Sequence, residues 1–150
     1  LGIGPAILVL IGDFSKGFLA SYIGFLLQNE TGALLGGMIA IIGHTLSCFI
    51  HFKGGKGIAT GAGVLFFLSP TVFLICAAIL AVLTYLTKYM SVGSITAAVC
   101  APILLWIFKA PTIYIAGIFV MCCYVVYLHR GNIQRLLKGT ENKIGKKNNH

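Results

Sequence analysis

The sequence predicts an all-α fold, a polytopic integral membrane helical bundle with about six membrane helices, and three observations carry that prediction. Hydrophobic residues make up 58% of the 150 residues and charged residues only 9%; a soluble domain of this length has no interior large enough to hide so much apolar surface. The mean hydropathy is +0.97, which makes a bilayer the expected solvent. The apolar residues fall into six runs cut by polar, Gly and Pro punctuation, with no alternating ten-residue strands of the kind a β-barrel needs.

The first run covers residues 2–27 and holds Gly12-Asp13-Phe14-Ser15-Lys16-Gly17 in its middle. An ionisable group at bilayer depth costs about 2.5–3.5 kcal/mol on insertion scales. Asp13 and Lys16 stand at i, i+3 and so can neutralise each other as a structural ion pair lining the bundle. The second run, residues 32–50, carries the small-xxx-small pairs Gly32/Gly36 and Ala33/Gly37, which let helix backbones approach closely, and His44 near its end. The third, residues 57–68, is too short to span straight and reads as a half-helix packed against protein. Residues 70–87, 92–108 and 112–128 complete the set.

If each run crosses, Lys53, Lys56, Lys88 and the six basic residues of the tail share one side, and only Lys109 lies on the other. By the positive-inside rule that side is the cytoplasm, with the C-terminus in it. The expected organisation is one domain: residues 1–128 embedded in the membrane and residues 129–150 a basic cytoplasmic segment of the same domain. The net charge of +8 then reflects anionic headgroups rather than nucleic acid, for which no module is present. The five cysteines all lie within apolar runs, form no CxxC and imply small buried hydrophobes and no metal site. The chain begins at Leu1 inside an apolar stretch with no charged leader, the expected look of a fragment.

Two segments carry the chemistry. In His51-Phe52-Lys53-Gly54-Gly55-Lys56-Gly57-Ile58-Ala59-Thr60-Gly61 the glycines free backbone N–H groups to converge on an anion. The lysines add point charge, and the start of the following helix points at the same place. The spacing is not that of a Walker A loop. A phosphate cradle and a plain loop with cytoplasmic lysines both fit these residues. In His129-Arg130-Gly131-Asn132-Ile133-Gln134-Arg135-Leu136, helical spacing puts His129 and Asn132 on one face. Arg135 can then reach a phosphate or pair with Glu141; a basic helix lying on headgroups is the other reading. Ser91 and Ser94 fall on the same side as the glycine loop, as anion donors or as a helix cap.

Gly43-His44, Phe52 to Thr60, His129-x-x-Asn132-x-x-Arg135-Leu136 and Gly139-Thr140-Glu141 together resemble the second and third motifs of the acyl-phosphate:glycerol-3-phosphate acyltransferases, the PlsY family. Asp13-x-x-Lys16-Gly17 and Ser91-Val92-Gly93-Ser94 are similar to family sequence as well. The resemblance implies a seven-helix bacterial plasma-membrane enzyme whose first span and first motif lie upstream of Leu1. It implies acyl transfer from acyl phosphate to the 1-hydroxyl of glycerol 3-phosphate in phospholipid biosynthesis, giving lysophosphatidic acid and phosphate, with no cofactor and no metal. Carried over by position, Gly54, Gly55, Lys56, Gly57 and Thr60 hold substrate phosphate, with Ser94 and Arg135 as further ligands. Lys56, His129 and Asn132 form the catalytic set, and Asp13, Lys16, His44 and Glu141 are structural residues near it. The competing function class is a membrane transporter of a phosphorylated metabolite, which also needs a basic, glycine-rich site between helices.

Overall fold

The computed structural model describes the backbone of residues 3–51 and 56–145 and, apart from residues 3 and 47–51, their side chains. The regular structure of the described residues is all helical, in α1 (Ile3–His51), α2 (Ile58–Leu68), α3 (Pro70–Thr87), α4 (Met90–Ile107), α5 (Thr112–Leu128) and α6 (Arg130–Leu137).

α1 is a hairpin. Its helical path breaks at Gln28 (φ −149°, ψ 34°) and Asn29 (φ 51°, ψ −137°), and Asn tolerates positive φ better than most residues. A methyl group on Gly24 would meet the Gly32 carbonyl, and one on Gly36 the Ala20 carbonyl. In a straight helix residues 20 and 36 would stand about 24 Å apart, so the arms 3–27 and 30–51 run antiparallel. The Gly32/Gly36 pair of the sequence reading therefore lies in the seam between the two arms.

α2 lies against both arms. A methyl on Gly17 would meet the Thr60 carbonyl, one on Gly63 the Phe14 carbonyl, and one on Gly37 the Val64 side chain. An aromatic cluster seals the same seam: Phe14, Phe18, Tyr22 and Phe25 pack on Phe66, Phe67 and Phe73. With 11 residues, α2 is only about 16 Å long, half of a hydrocarbon core about 30 Å thick. Ser69 ends it with extended φ/ψ and caps α3, whose first residue is Pro70.

α3, α4 and α5 pack in sequence. The core between α2 and these three holds Val64, Val72 and Leu105, with Ala97, Ala101, Ile118 and Met121. The outer faces are apolar and exposed (Leu8, Leu27, Ile39, Leu86 and Trp106 among them), as a surface in lipid must be. Three helical stretches, Gly4–Leu46, Pro70–Thr87 and Met90–Ile107, are long and apolar enough to cross. The first supplies two passes because it folds back. Lys56, Lys88 and the bases of α6 stand at one end of the bundle, and Lys109 at the other. The expectation of buried cysteines fails in part: Cys76 is buried, but Cys123 is exposed and Cys100 and Cys122 are half-buried, because a helix in lipid does not need polar residues on its outer face; the Cys48 side chain lies outside the described residues.

The seam between α2 and the first arm yields a prediction. Gly17→Leu forces carbonyl and side chain into one volume and costs about 3 kcal/mol or more by overpacking. Gly4→Leu, where an added methyl meets nothing within 4 Å, leaves stability unchanged. Thermal unfolding in detergent compares them; equal melting temperatures would refute the seam.

Candidate active site

α5 ends at Leu128, and α6 leaves it at an angle of 54°. His129 sits at this corner, 4% exposed, with Nδ1 2.8 Å from the Val125 carbonyl oxygen. A carbonyl only accepts, so Nδ1 carries the proton and the neutral ring presents an unprotonated Nε2. Burial is the main reason His129 is held below the usual histidine pKa, and the nearby Lys56 charge adds to it; the bond to Val125 and the Glu141 carboxylate pull the other way. The ring is therefore neutral near pH 7.

One carboxylate organises the groups around it. Glu141 Oε1 accepts from Asn132 Nδ2 at 2.6 Å and from Ser91 Oγ at 2.9 Å, and Oε2 accepts from Arg135 Nε at 2.8 Å. The chain reaches this position because Gly139 takes φ +67° after α6 and Thr140 N–H bonds the Arg135 carbonyl at 2.8 Å. The following residues dock on the α3–α4 corner, where Ile144 N–H bonds the Lys88 carbonyl at 2.9 Å. Burial pushes the Glu141 pKa up, but the bonds from Asn132, Ser91 and Arg135 and the Arg135 charge outweigh it and hold the carboxyl below its ordinary value. Asn132 Oδ1 is buried with no protein partner among the described residues.

Lys56 precedes α2 at the same end. Burial first, and then the Arg135 charge, lower its pKa, while Glu141 raises it, so Lys56, His129, Arg135 and Glu141 lie within electrostatic reach of one another. Gly57 caps α2 with φ +78°, a conformation glycine adopts without strain, and no side chain caps this end. The first N–H groups of α2 therefore lack a side-chain cap among the described residues, the arrangement that suits an anion at a helix start. Gly54 and Gly55, expected to join this cradle, lie outside the described residues.

Other expected residues fall differently. Thr60, expected to hold phosphate, is 0% exposed and backs onto Gly17. It stands three residues into α2 from Gly57, on the face toward the first arm, so it belongs to the helix seam. Arg135 pairs with Glu141, leaving its remaining guanidinium donors for other partners. Ser94 is buried one turn below Ser91 and lines a cavity. Lys16 Nζ bonds Asp13 Oδ1 at 2.7 Å, as the spacing suggests, and the same oxygen is 3.5 Å from His44 Nδ1. This cluster is not deep in the bundle: His44 adjoins Thr45, whose methyl is 3.1 Å from where a Cβ on Gly57 would stand. The pair is at the level of the loop end because the first arm extends beyond it.

Two features had no signal in the sequence. Thr45 Oγ1 and the Tyr124 hydroxyl are 2.8 Å apart, 79 residues apart in the chain, and Thr45 also bonds the Ile42 carbonyl at 2.9 Å. Thr45 has one proton, so if it goes to Ile42 the Tyr124 hydroxyl donates to Thr45. This contact ties α5 to the arm that supports Gly57. The second feature is a cavity of about 200 Å³ between α2, α3, α4 and α5. Gly57, Ser94 and Val125 border it, each within one helical turn of Lys56, Ser91 or His129.

Known proteins share this sequence pattern and fold. Residues 1–139 match the family model for glycerol-3-phosphate acyltransferase. A glycerol-3-phosphate acyltransferase of Fusobacterium nucleatum is 45% identical over 96% of this chain and 75% of its own length. One from Carboxydothermus hydrogenoformans is 42% identical over 99% and 76%. The crystal structure of PlsY, an integral membrane glycerol 3-phosphate acyltransferase, in its glycerol 3-phosphate form superposes with a TM-score of 0.89 at 34% identity, over 97% of this chain and 74% of that one. Its lysophosphatidic acid form superposes with a TM-score of 0.85 over 93% and 72%. On sequence and fold together, the chain belongs to the glycerol-3-phosphate acyltransferase family of multi-pass membrane proteins.

Proposed function

We propose that this protein transfers a fatty acyl group from acyl phosphate to the 1-hydroxyl of glycerol 3-phosphate, releasing 1-acyl-glycerol 3-phosphate and phosphate, at the cytoplasmic face of a bacterial plasma membrane. The observation that carries the reading is a juxtaposition. A cluster of Lys56, His129, Asn132, Arg135 and Glu141 stands at the mouth of a half-open apolar cavity between α2, α3, α4 and α5, with Ile41 of α1 on its wall. A polar, twice-phosphorylated pair of substrates and one long acyl chain need such a boundary. The relatives named for this activity support it. A transport path would need polar groups continuing through the bundle, and the cavity lining beyond Ser94 is apolar.

The chemistry follows from the parts. An acyl phosphate is already activated, so the protein mainly orients the hydroxyl and neutralises charge. Lys56, Gly57 and the start of α2, with Gly54 and Gly55 on family resemblance, hold substrate phosphate. The 1-hydroxyl oxygen attacks the acyl carbonyl carbon, its proton passes to His129 Nε2, and the carbon–oxygen bond to phosphate breaks with the electron pair leaving on phosphate. Asn132, held by Glu141, directs its unpartnered Oδ1 toward substrate, and Ser94 borders the reacting end. Glu141 is a positioning residue: it holds Asn132 and Arg135 in place and docks the tail.

Three outcomes are expected of the full-length protein in proteoliposomes, read as label moving from glycerol 3-phosphate into lipid. Lys56→Ala loses at least a hundredfold in kcat/KM, through loss of a charge-assisted phosphate contact in a half-buried site; near-normal rates would sink the phosphate assignment. His129→Ala lowers kcat by about 10²–10⁴-fold, the usual worth of a general base, with the KM for glycerol 3-phosphate little changed; a pure KM effect would mean His129 only binds. The third concerns pH. His129 acts neutral and its pKa is depressed, so the rate falls only as pH drops through that depressed value, below the ordinary 6.5. An acid limb at or above 6.5 that disappears with His129 would contradict the burial argument.

A further inference from the structure

The lining of the cavity explains its shape. Much of its wall consists of side chains no larger than cysteine: Gly61 and Ala62 on α2, Cys76 and Ala77 on α3, Ala97 and Ala98 on α4. Helix register gives the cavity two ends. Cys76 Sγ bonds the Ala97 carbonyl at 3.5 Å, and Gly93 packs on the Leu80 carbonyl. Leu80 and Ser94 therefore mark the end next to the polar cluster. Leu65, Phe73, Ala101 and Ile118 mark the opposite end, where Leu65, Ala101 and Ile118 are buried. Small walls leave the slot open, and three large side chains together with Ala101 line its far end.

The depth is set by the same register. From Ser91 to Ala101 on α4, and from His129 to Ile118 back along α5, the rise is roughly 15 Å. A chain whose carbonyl carbon sits at the level of His129 runs out of room at Ala101 and Phe73. Well-packed interiors resist extra methylenes as strongly as they resist voids.

We propose that this slot is a ruler for the acyl chain, with Ala101 and Phe73 setting the chain length that the protein transfers. The inference rests on the acyl-transfer reading above and adds to it which donors are preferred. A chain that fits the slot enters from lipid at little cost, since both surroundings are apolar. One that overruns the floor must bend or displace Phe73. Ala101 is the smallest residue there, so enlarging it shortens the slot, and truncating Phe73 lengthens it.

The test is a competition assay on the full-length protein in proteoliposomes, with an equimolar mixture of decanoyl, lauroyl, myristoyl, palmitoyl and stearoyl phosphates and mass analysis of the lysophosphatidic acid formed. Competition reports ratios of kcat/KM directly. Ala101→Leu is expected to raise the ratio of lauroyl to palmitoyl product by tenfold or more, and Phe73→Ala to lower it by a similar factor. Should Ala101→Leu fail to fold, Phe73→Ala decides alone. Active variants with the wild-type product profile overturn the ruler and leave the acyltransferase reading standing. Wild-type protein that forms no lysophosphatidic acid from any donor overturns that reading, and the ruler with it.

Discussion

An 11-residue helix cannot cross a bilayer, and lipid offers no hydrogen bonds to the backbone groups at its ends. α2 persists at half depth because protein surrounds it. Gly17 and Gly63 let its backbone come into contact with that of the first arm, and Gly37 admits Val64 from the other side. The Phe and Tyr cluster closes the seam where α2 gives way to α3. This packing places the start of α2, with Gly57 and Lys56, beside the α5–α6 corner. Everything at the polar end is arranged around that start.

The second organising contact is Glu141. A carboxylate that accepts from Ser91, Asn132 and Arg135 joins the first turn of α4, the short α6 and the returning tail. α6 is too short to hold its orientation unaided. Its apolar residues face partly outward, with Leu137 84% exposed, so a polar contact rather than core packing fixes its direction. The Arg130–Tyr127 and Lys143–Tyr89 pairs, ring centroids at 4.2 and 5.6 Å, add an aromatic and basic rim at the level where lipid headgroups would lie.

Polar chemistry and apolar capacity are thus separated along one axis. Charges gather at the loop end, where Glu141 pairs with Arg135 and Lys56 and His129 lie within its electrostatic reach. The slot beneath them is walled by small side chains, which give it volume without polarity. A buried, neutral His129 suits that boundary, since an imidazolium facing an apolar slot would carry a desolvation cost. The Asp13, Lys16 and His44 cluster stands at the level of the loop end, where the second arm carries His44 next to Thr45.

Composition and run length alone determined the solvent and the helical class, because apolar surface and backbone satisfaction leave a chain of this kind no alternative in lipid; the expected six crossings do not hold, since α2, at 11 residues, reaches only half depth. The motif residues likewise announced the polar end: Lys56, Gly57, His129, Asn132, Arg135 and Glu141 carry their chemistry in their types and spacing. Partners distant in sequence were a different matter. The Ser91–Glu141 and Thr45–Tyr124 bonds, the placement of Thr60 in a seam, the level of Asp13 and the slot between four helices all depend on which faces meet. In an apolar helix nearly every face looks alike to a periodicity argument, since lipid and protein interior are both apolar. Only packing distinguishes them, and here the deciding contacts are those of glycines with carbonyls many residues away.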